Sequence, residues 1–174
     1  MTSNRFLDHR TRLYPGRKQD HTVRNAYVDM EAARIDLPAG DTGWEARLRE
    51  AWDRYRCPMA VTEAHLACQD EAEQVRWLME AWQAASALRA DGADVRALTA
   101  WSLFGAVDWD SLLRHARGHY EAGVWDASAA PPRATSLAAT VASLARTGGH
   151  YDPVLAEPGW WRRGDRLHEA ARRA

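Results

Sequence analysis

Lysine is almost missing from this chain. Lys18 is the only one, so the cationic side chains are nearly all arginine. Beside abundant alanine this reads as a compositional bias, not as arginine selected for phosphate binding. The formal net charge is −1, which excludes a global field drawing the chain to nucleic acid or an anionic membrane. Only two cysteines occur, Cys57 and Cys68. They lack C-x-x-C spacing and are too few for a disulfide framework. No apolar run reaches the roughly 20 residues of a bilayer span, and no apolar segment of a signal peptide follows Met1-Thr2-Ser3-Asn4-Arg5. These absences set the expectation of a cytoplasmic protein with neither nucleic acid nor membrane as partner.

What is present is the composition of a folded chain. Hydrophobic residues are 46% and charged residues 27%, outside the disordered range. The 174 residues suffice for one ordinary domain but not for a complete (β/α)8 barrel, which takes about 250.

Residues 1–43 are polar and irregular, with Arg5, His9, Arg10, Arg12, Arg17, Lys18 and Arg24 interleaved among Asp8, Asp20 and Asp29. Neither period holds there, and Pro15-Gly16 marks a turn, so a long loop is expected. Regularity starts at Thr42, which with Glu45 has capping-box spacing. Trp44, Leu48, Ala51, Trp52 and Tyr55 then form one helical stripe that Pro58 stops. Met59-Ala60-Val61-Thr62-Glu63 reads as a short buried strand ending on a carboxylate. Asp70 and Glu73 repeat the cap spacing, and Val75, Leu78, Met79, Trp82, Ala85 and Leu88 form a second helix, ended by Asp91-Gly92. Residues 95–101 read as a second strand. A third helix is expected from about Thr135 to Arg146, closed by Gly148-Gly149. Alternating helix and strand predicts an α/β fold with parallel strands joined by crossovers. Residues 149–174, broken by Pro153, Pro158 and Gly159, read as a linker or tail.

Glu63 is the residue with the most chemical promise. In a (β/α)8 barrel, active sites are built at the C-terminal ends of the strands. A carboxylate there suits a retaining glycosidase, where it attacks the anomeric carbon while a second carboxyl group protonates the leaving oxygen. The bland alternative is a surface or salt-bridged glutamate. His65, two residues on, either lines the same pocket mouth or is a solvated loop histidine. His115 and His119 have i, i+4 spacing but no third ligand, so no metal site is expected. Ser102 lacks the glycine pattern of a nucleophile elbow. Trp44, Trp52 and Trp82 fit helix packing, whereas Trp101 and Trp109 follow a strand on the presumed catalytic face and are candidates for sugar contact.

These segments also resemble a known family. Pro58-Met59-Ala60-Val61-Thr62-Glu63 is similar to the seventh-strand motif of family 1 glycoside hydrolases, a hydrophobic run ending in Thr-Glu with the glutamate as nucleophile. The family continues with Asn-Gly, where this chain has Ala64-His65. Ala100-Trp101-Ser102-Leu103 is similar to the eighth-strand motif. Asp108-Trp109 falls where the family has Glu-Trp, whose acid holds sugar hydroxyls and whose indole covers the glycone. Gly123-Val124-Trp125-Asp126, then Pro132-Arg133 and a helix, resemble the closing segment. The motifs follow in family order over about residues 44–146.

The resemblance implies a partial (β/α)8 TIM barrel over residues 44–148, its last two to three βα units. It implies Glu63 as nucleophile, and Trp101, Asp108 and Trp109 as sugar-binding residues, with no cofactor and no metal; His65 joins the sugar-binding set on its position two residues beyond Glu63, not on the resemblance. The family's acid/base lies in an Asn-Glu-Pro motif, and no Asn-Glu occurs here. Acid/base assistance contributes roughly 10²–10⁴-fold, so hydrolysis of O-glycosyl bonds is expected of a complete protein and not of this chain alone. The expected partners are a carbohydrate substrate and an N-terminal barrel fragment or a second copy. More specifically, the chain looks like the glycosidase-like part of bacterial two-part proteins that continue into a sugar-nucleotide reductase of the dTDP-4-dehydrorhamnose type. Pro158-Gly159-Trp160-Trp161-Arg162-Arg163 is similar to their linker, and no G-x-G-x-x-G fingerprint is present. The rival expectation is a non-catalytic carbohydrate or interaction module beside such a reductase.

Overall fold

A computed structural model describes residues 6–8, 11–13, 15–16, 19–21, 26–30, 43–109 and 115–163. The chain divides into two compact units, one of Met1–Thr2 with Leu37–Glu157 and one of Ser3–Asp36 with Pro158–Ala174. Among the described residues the structure mixes helices with small sheets, and no sheet closes into a barrel.

The smaller unit differs from the loop expected of its sequence. Strands β1 (Phe6–Asp8), β2 (Asp20–His21) and β3 (Ala26–Met30) form an antiparallel sheet in the order β1-β3-β2, with Phe6 opposite Met30 and Asp20 opposite Tyr27. Strands of two to five residues are too short for alternation to stand out against charged neighbours. The pairing of β1 with β3 is also between distant residues, Phe6 with Met30, which local periodicity does not report.

The larger unit begins with α1 (Gly43–Tyr55); its expected cap, Thr42, lies outside the described residues. Then come β4 (Met59–Ala64), α2 (Glu71–Ala90) and β5 (Val95–Ala100), with β4 and β5 paired in parallel. This is the expected strand-helix-strand crossover. Asp70 caps α2 as its spacing predicts, its carboxylate accepting from the amides of Ala72 at 2.9 Å and Glu73 at 3.4 Å. The Glu73 carboxylate accepts from Arg76 Nη1 at 3.0 Å.

Helix α2 is the centre of the core. Val75, Leu78, Met79, Ala81 and Ala84 are buried with Trp44 of α1, Val61 and Ala64 of β4 and Val124, while Leu88 and Ala85 pack with Ala93 and Val95. Burying a side chain such as Leu88 stabilises by about 1.5–3 kcal/mol. Tyr55, counted in the α1 stripe, is 66% exposed, whereas Trp52 one turn earlier packs against the cluster of Ala85, Leu88, Ala93 and Val95.

Between β5 and the last helix lie four two-residue strands: β6 (Ala106–Val107) pairs antiparallel with β7 (Tyr120–Glu121), and β8 (Trp125–Asp126) with β9 (Arg133–Ala134). Helix α3 (Ser136–Thr147) follows, with Thr135 at its start and Gly148 at φ 75° closing it. Its start is held from a distance. Glu71, in the first turn of α2, accepts from the Ser136 amide at 2.7 Å, the Ser136 hydroxyl at 2.9 Å and Arg133 Nη2 at 2.8 Å. Burial pushes the Glu71 carboxyl up, but the Ser136 amide, the Arg133 guanidinium and the Ser136 hydroxyl outweigh it and hold the group below its ordinary value.

A depressed folded value stabilises the fold above the unfolded value of about 4.3. That stabilisation is lost as pH falls through the lower folded value. Glu71→Ala is therefore expected to cost about 1–2 kcal/mol at neutral pH, the range of a lost helix cap. The deficit should shrink on acidification, as read by urea denaturation at both pH values. An equal deficit at both would contradict an electrostatic cap.

Residues 149–157, expected as the start of a linker, pack against the larger unit instead. Asp152 caps a 3-10 turn at Pro153–Ala156. Arg76 Nε donates to the carbonyls of Val154 at 2.8 Å and Glu157 at 3.1 Å, and Val154 and Leu155 touch the core.

Candidate active site

The strand carrying Glu63 is not regular. Val61 pairs with Leu98 and Ala64 with Ala100, so β4 passes three residues where β5 passes two. The extra residue makes an irregularity of the bulge kind at Thr62 and Glu63, a device that bends a strand and re-aims a side chain; it offsets an opposite shift between Met59 and Ala60, where β5 runs from Val95 to Ala97. Strict alternation would set Glu63 on the same side as Val61. Instead Val61 and Ala64 are both buried, and Thr62 and Glu63 are both exposed. The acid is thus exposed at the strand's C-terminal end, while Val61 and Ala64 pack in the core with α2.

The neighbouring strand brings Trp101 to the same end. Its backbone amide donates to the Ala64 carbonyl at 3.2 Å, so Trp101 begins beside the residue following Glu63. Trp109 comes back to meet it, with ring centroids 5.6 Å apart and planes at 33°, a separation typical of offset aromatic contact. The peptide bond between Trp101 and Ser102 is cis.

His65 is half-buried and lines a cavity of about 10 Å³ with Leu66, Gln74, Trp77, Trp101 and Leu137. That is space for at most one water, so it adjoins a candidate sugar site without being one. Burial pushes the His65 imidazole below its ordinary value, opposed in part by the nearby Glu63 carboxylate. At neutral pH the ring is therefore neutral and able to accept as well as donate a hydrogen bond.

Asp108 is placed differently from the other sequence candidates. It is buried, and its carboxylate accepts from the backbone amides of Arg117 at 3.0 Å, Gly118 at 3.2 Å and His119 at 2.8 Å. Three of the roughly four acceptor positions of a carboxylate are thereby given to one backbone loop. Glu63, His65, Trp101 and Trp109 are brought to one end of the parallel pair; the Asp108 carboxylate is bound by the backbone of residues 117–119.

His115 and His119 are exposed and lie outside any helix, so their spacing carries no helical meaning. No group of three or more metal-binding side chains forms among the described residues. Burial pushes the Cys68 thiol up to about 11, which leaves it protonated and unreactive at neutral pH. Among the described residues no helix is long and apolar enough to cross a membrane.

The bulge was not readable from sequence, since nothing in Val-Thr-Glu-Ala announces an extra residue. Nor was Tyr120, whose hydroxyl donates to the Phe104 carbonyl at 2.7 Å and accepts from the Ala127 amide at 2.8 Å, tying two loops beside the tryptophan pair. A search of family models, curated proteins and solved structures finds no match to this chain.

Proposed function

We propose that this chain is the nucleophile-bearing portion of a retaining β-glycosidase of the family 1 type. Its larger unit supplies the last two to three βα units of a (β/α)8 barrel. Glu63 attacks the anomeric carbon, Trp101 and Trp109 form the platform for the sugar ring, and His65 sits at the pocket edge. The observation that carries this reading is the bulge in β4, which leaves Glu63 exposed at the end of a parallel strand beside Trp101. An acid whose only task was packing or pairing would not require a break in the strand's repeat.

The attacking carboxylate cannot also protonate the leaving oxygen. Hydrolysis of ordinary glycosides needs a second carboxyl group about 5–5.5 Å away, supplied by an N-terminal barrel portion in a cytoplasmic assembly. The first half-reaction can still be isolated. A fluorosugar β-glycoside with a dinitrophenolate leaving group needs no general acid. Glu63 Oε bonds to the anomeric carbon, the dinitrophenolate departs with the electron pair, and the fluorine slows loss of the adduct. Mass spectrometry of this chain is expected to find the glycosyl adduct on the peptide holding Glu63, and none in Glu63→Gln. Equal labelling of both proteins would overturn the nucleophile role.

One observation favours a second reading, a non-catalytic carbohydrate or interaction module beside a nucleotide-sugar reductase. Leu103, Phe104, Val107 and Trp125 are exposed large hydrophobics, and the Trp125 amide donates to the Leu103 carbonyl at 2.8 Å, so apolar side chains gather on adjoining loops. Glycoside binding without any adduct would select this alternative.

A further inference from the structure

We propose that Asp108 is a positioning residue, whose buried carboxylate, clamped by the amides of Arg117, Gly118 and His119, holds the indole of Trp109 against that of Trp101. Its use for the sugar rests on the reading above; the positioning itself does not.

The geometry runs through consecutive residues. Strands β6 and β7 pair up to Val107 and Tyr120, and the Asp108 amide continues the ladder by donating to the His119 carbonyl at 2.7 Å. At that point Asp108 takes a left-handed conformation, φ 55°, uncommon for any residue but glycine. The chain leaves the ladder there, and Trp109 is the next residue. The three amides bound to the carboxylate hold that conformation, because the side chain of Asp108 grips residues 117–119 while its backbone amide is bonded to the last of them, His119. Burial pushes the Asp108 carboxyl up, but the amides of His119, Gly118 and Arg117 outweigh it and keep the group below its ordinary value. The clamp is therefore ionised throughout the neutral range.

An acid at this place has another conceivable use, direct contact with sugar hydroxyls. The three amides occupy most of its acceptor capacity, so the effect on sugar is routed through Trp109. A misplacement of about 1 Å in a positioned site costs up to roughly a hundredfold.

The test reads the tryptophan pair itself. Closely spaced indoles give an exciton couplet in circular dichroism. Trp44–Trp77 at 5.3 Å and Trp160–Trp161 at 5.8 Å contribute as well, so the component of interest is the one removed by Trp109→Phe. Asp108→Ala is expected to lose that component while its melting stays cooperative. If the alanine variant does not fold, Asp108→Asn decides, since it keeps the volume and one accepting oxygen; it should lose part of the component. A folded Asp108 variant with the full couplet overturns the proposal. Titration of methylumbelliferyl β-glucoside against wild type and variant separates the two claims. Loss of couplet in the variant without glycoside binding by the wild type leaves the positioning intact and removes the sugar. Glycoside binding with an unaltered couplet does the reverse.

Discussion

Gly123→Ala is expected to destabilise the chain by about 3 kcal/mol or more, at the upper end of the usual cost of overpacking. Gly123 is buried between loops. A methyl group there would collide with the Ser102 carbonyl oxygen and lie 2.6 Å from the Gly105 amide nitrogen. Both obstacles are backbone, so no side chain can swing aside. Relief requires moving the segment 102–105, which the Val124 and Trp125 amides hold by bonds of 2.8 Å to the carbonyls of Ser102 and Leu103. That segment directly follows Trp101. Urea denaturation should therefore show the stability loss, and the Trp101–Trp109 couplet should fall with it. An unchanged midpoint would mean that the two loops are not packed as described.

Arg76→Ala carries the other large effect, about 3–5 kcal/mol, the range for stripping one partner from a buried ion pair. The Arg76 and Glu73 side chains are only 12% and 8% exposed and meet at 3.0 Å. Removing the guanidinium takes its cationic partner from the buried Glu73 carboxylate, and it also frees the carbonyls of Val154 and Glu157 that Arg76 Nε holds. The double variant with Glu73→Ala should recover part of the loss, since no buried charge remains. A cost near the ~1 kcal/mol of a surface pair would show that the two side chains are hydrated.

Periodic segments were legible in the sequence and irregular ones were not. Helices α2 and α3 fall within a residue or two of their expected bounds, because Asp70 and the Gly148-Gly149 pair are local signals that act on adjacent backbone. Strands β4 and β5 were legible for the same reason, and so was their parallel pairing, because a helix as long as α2 leaves few alternatives. Strands β1 to β3 and β6 to β9 escaped because each is only two to five residues long, and pairs such as Ala106 with Glu121 also depend on partners far along the chain. The site divides in the same way. Glu63, Trp101 and Trp109 could be singled out by position after a strand. The engagement of the Asp108 carboxylate with residues 117–119 could not, because it depends on how a loop closes.

The register slip in β4 has a consequence for how variation in this strand should be read. Substituting Thr62 changes a side chain, whereas deleting it removes the extra residue opposite β5 and restores the two-residue repeat. Ala64 would stay buried opposite Ala100, and Glu63 would take the exposed place that Thr62 now has, one position earlier on the strand. Length, more than chemistry, is the quantity this short stretch must preserve.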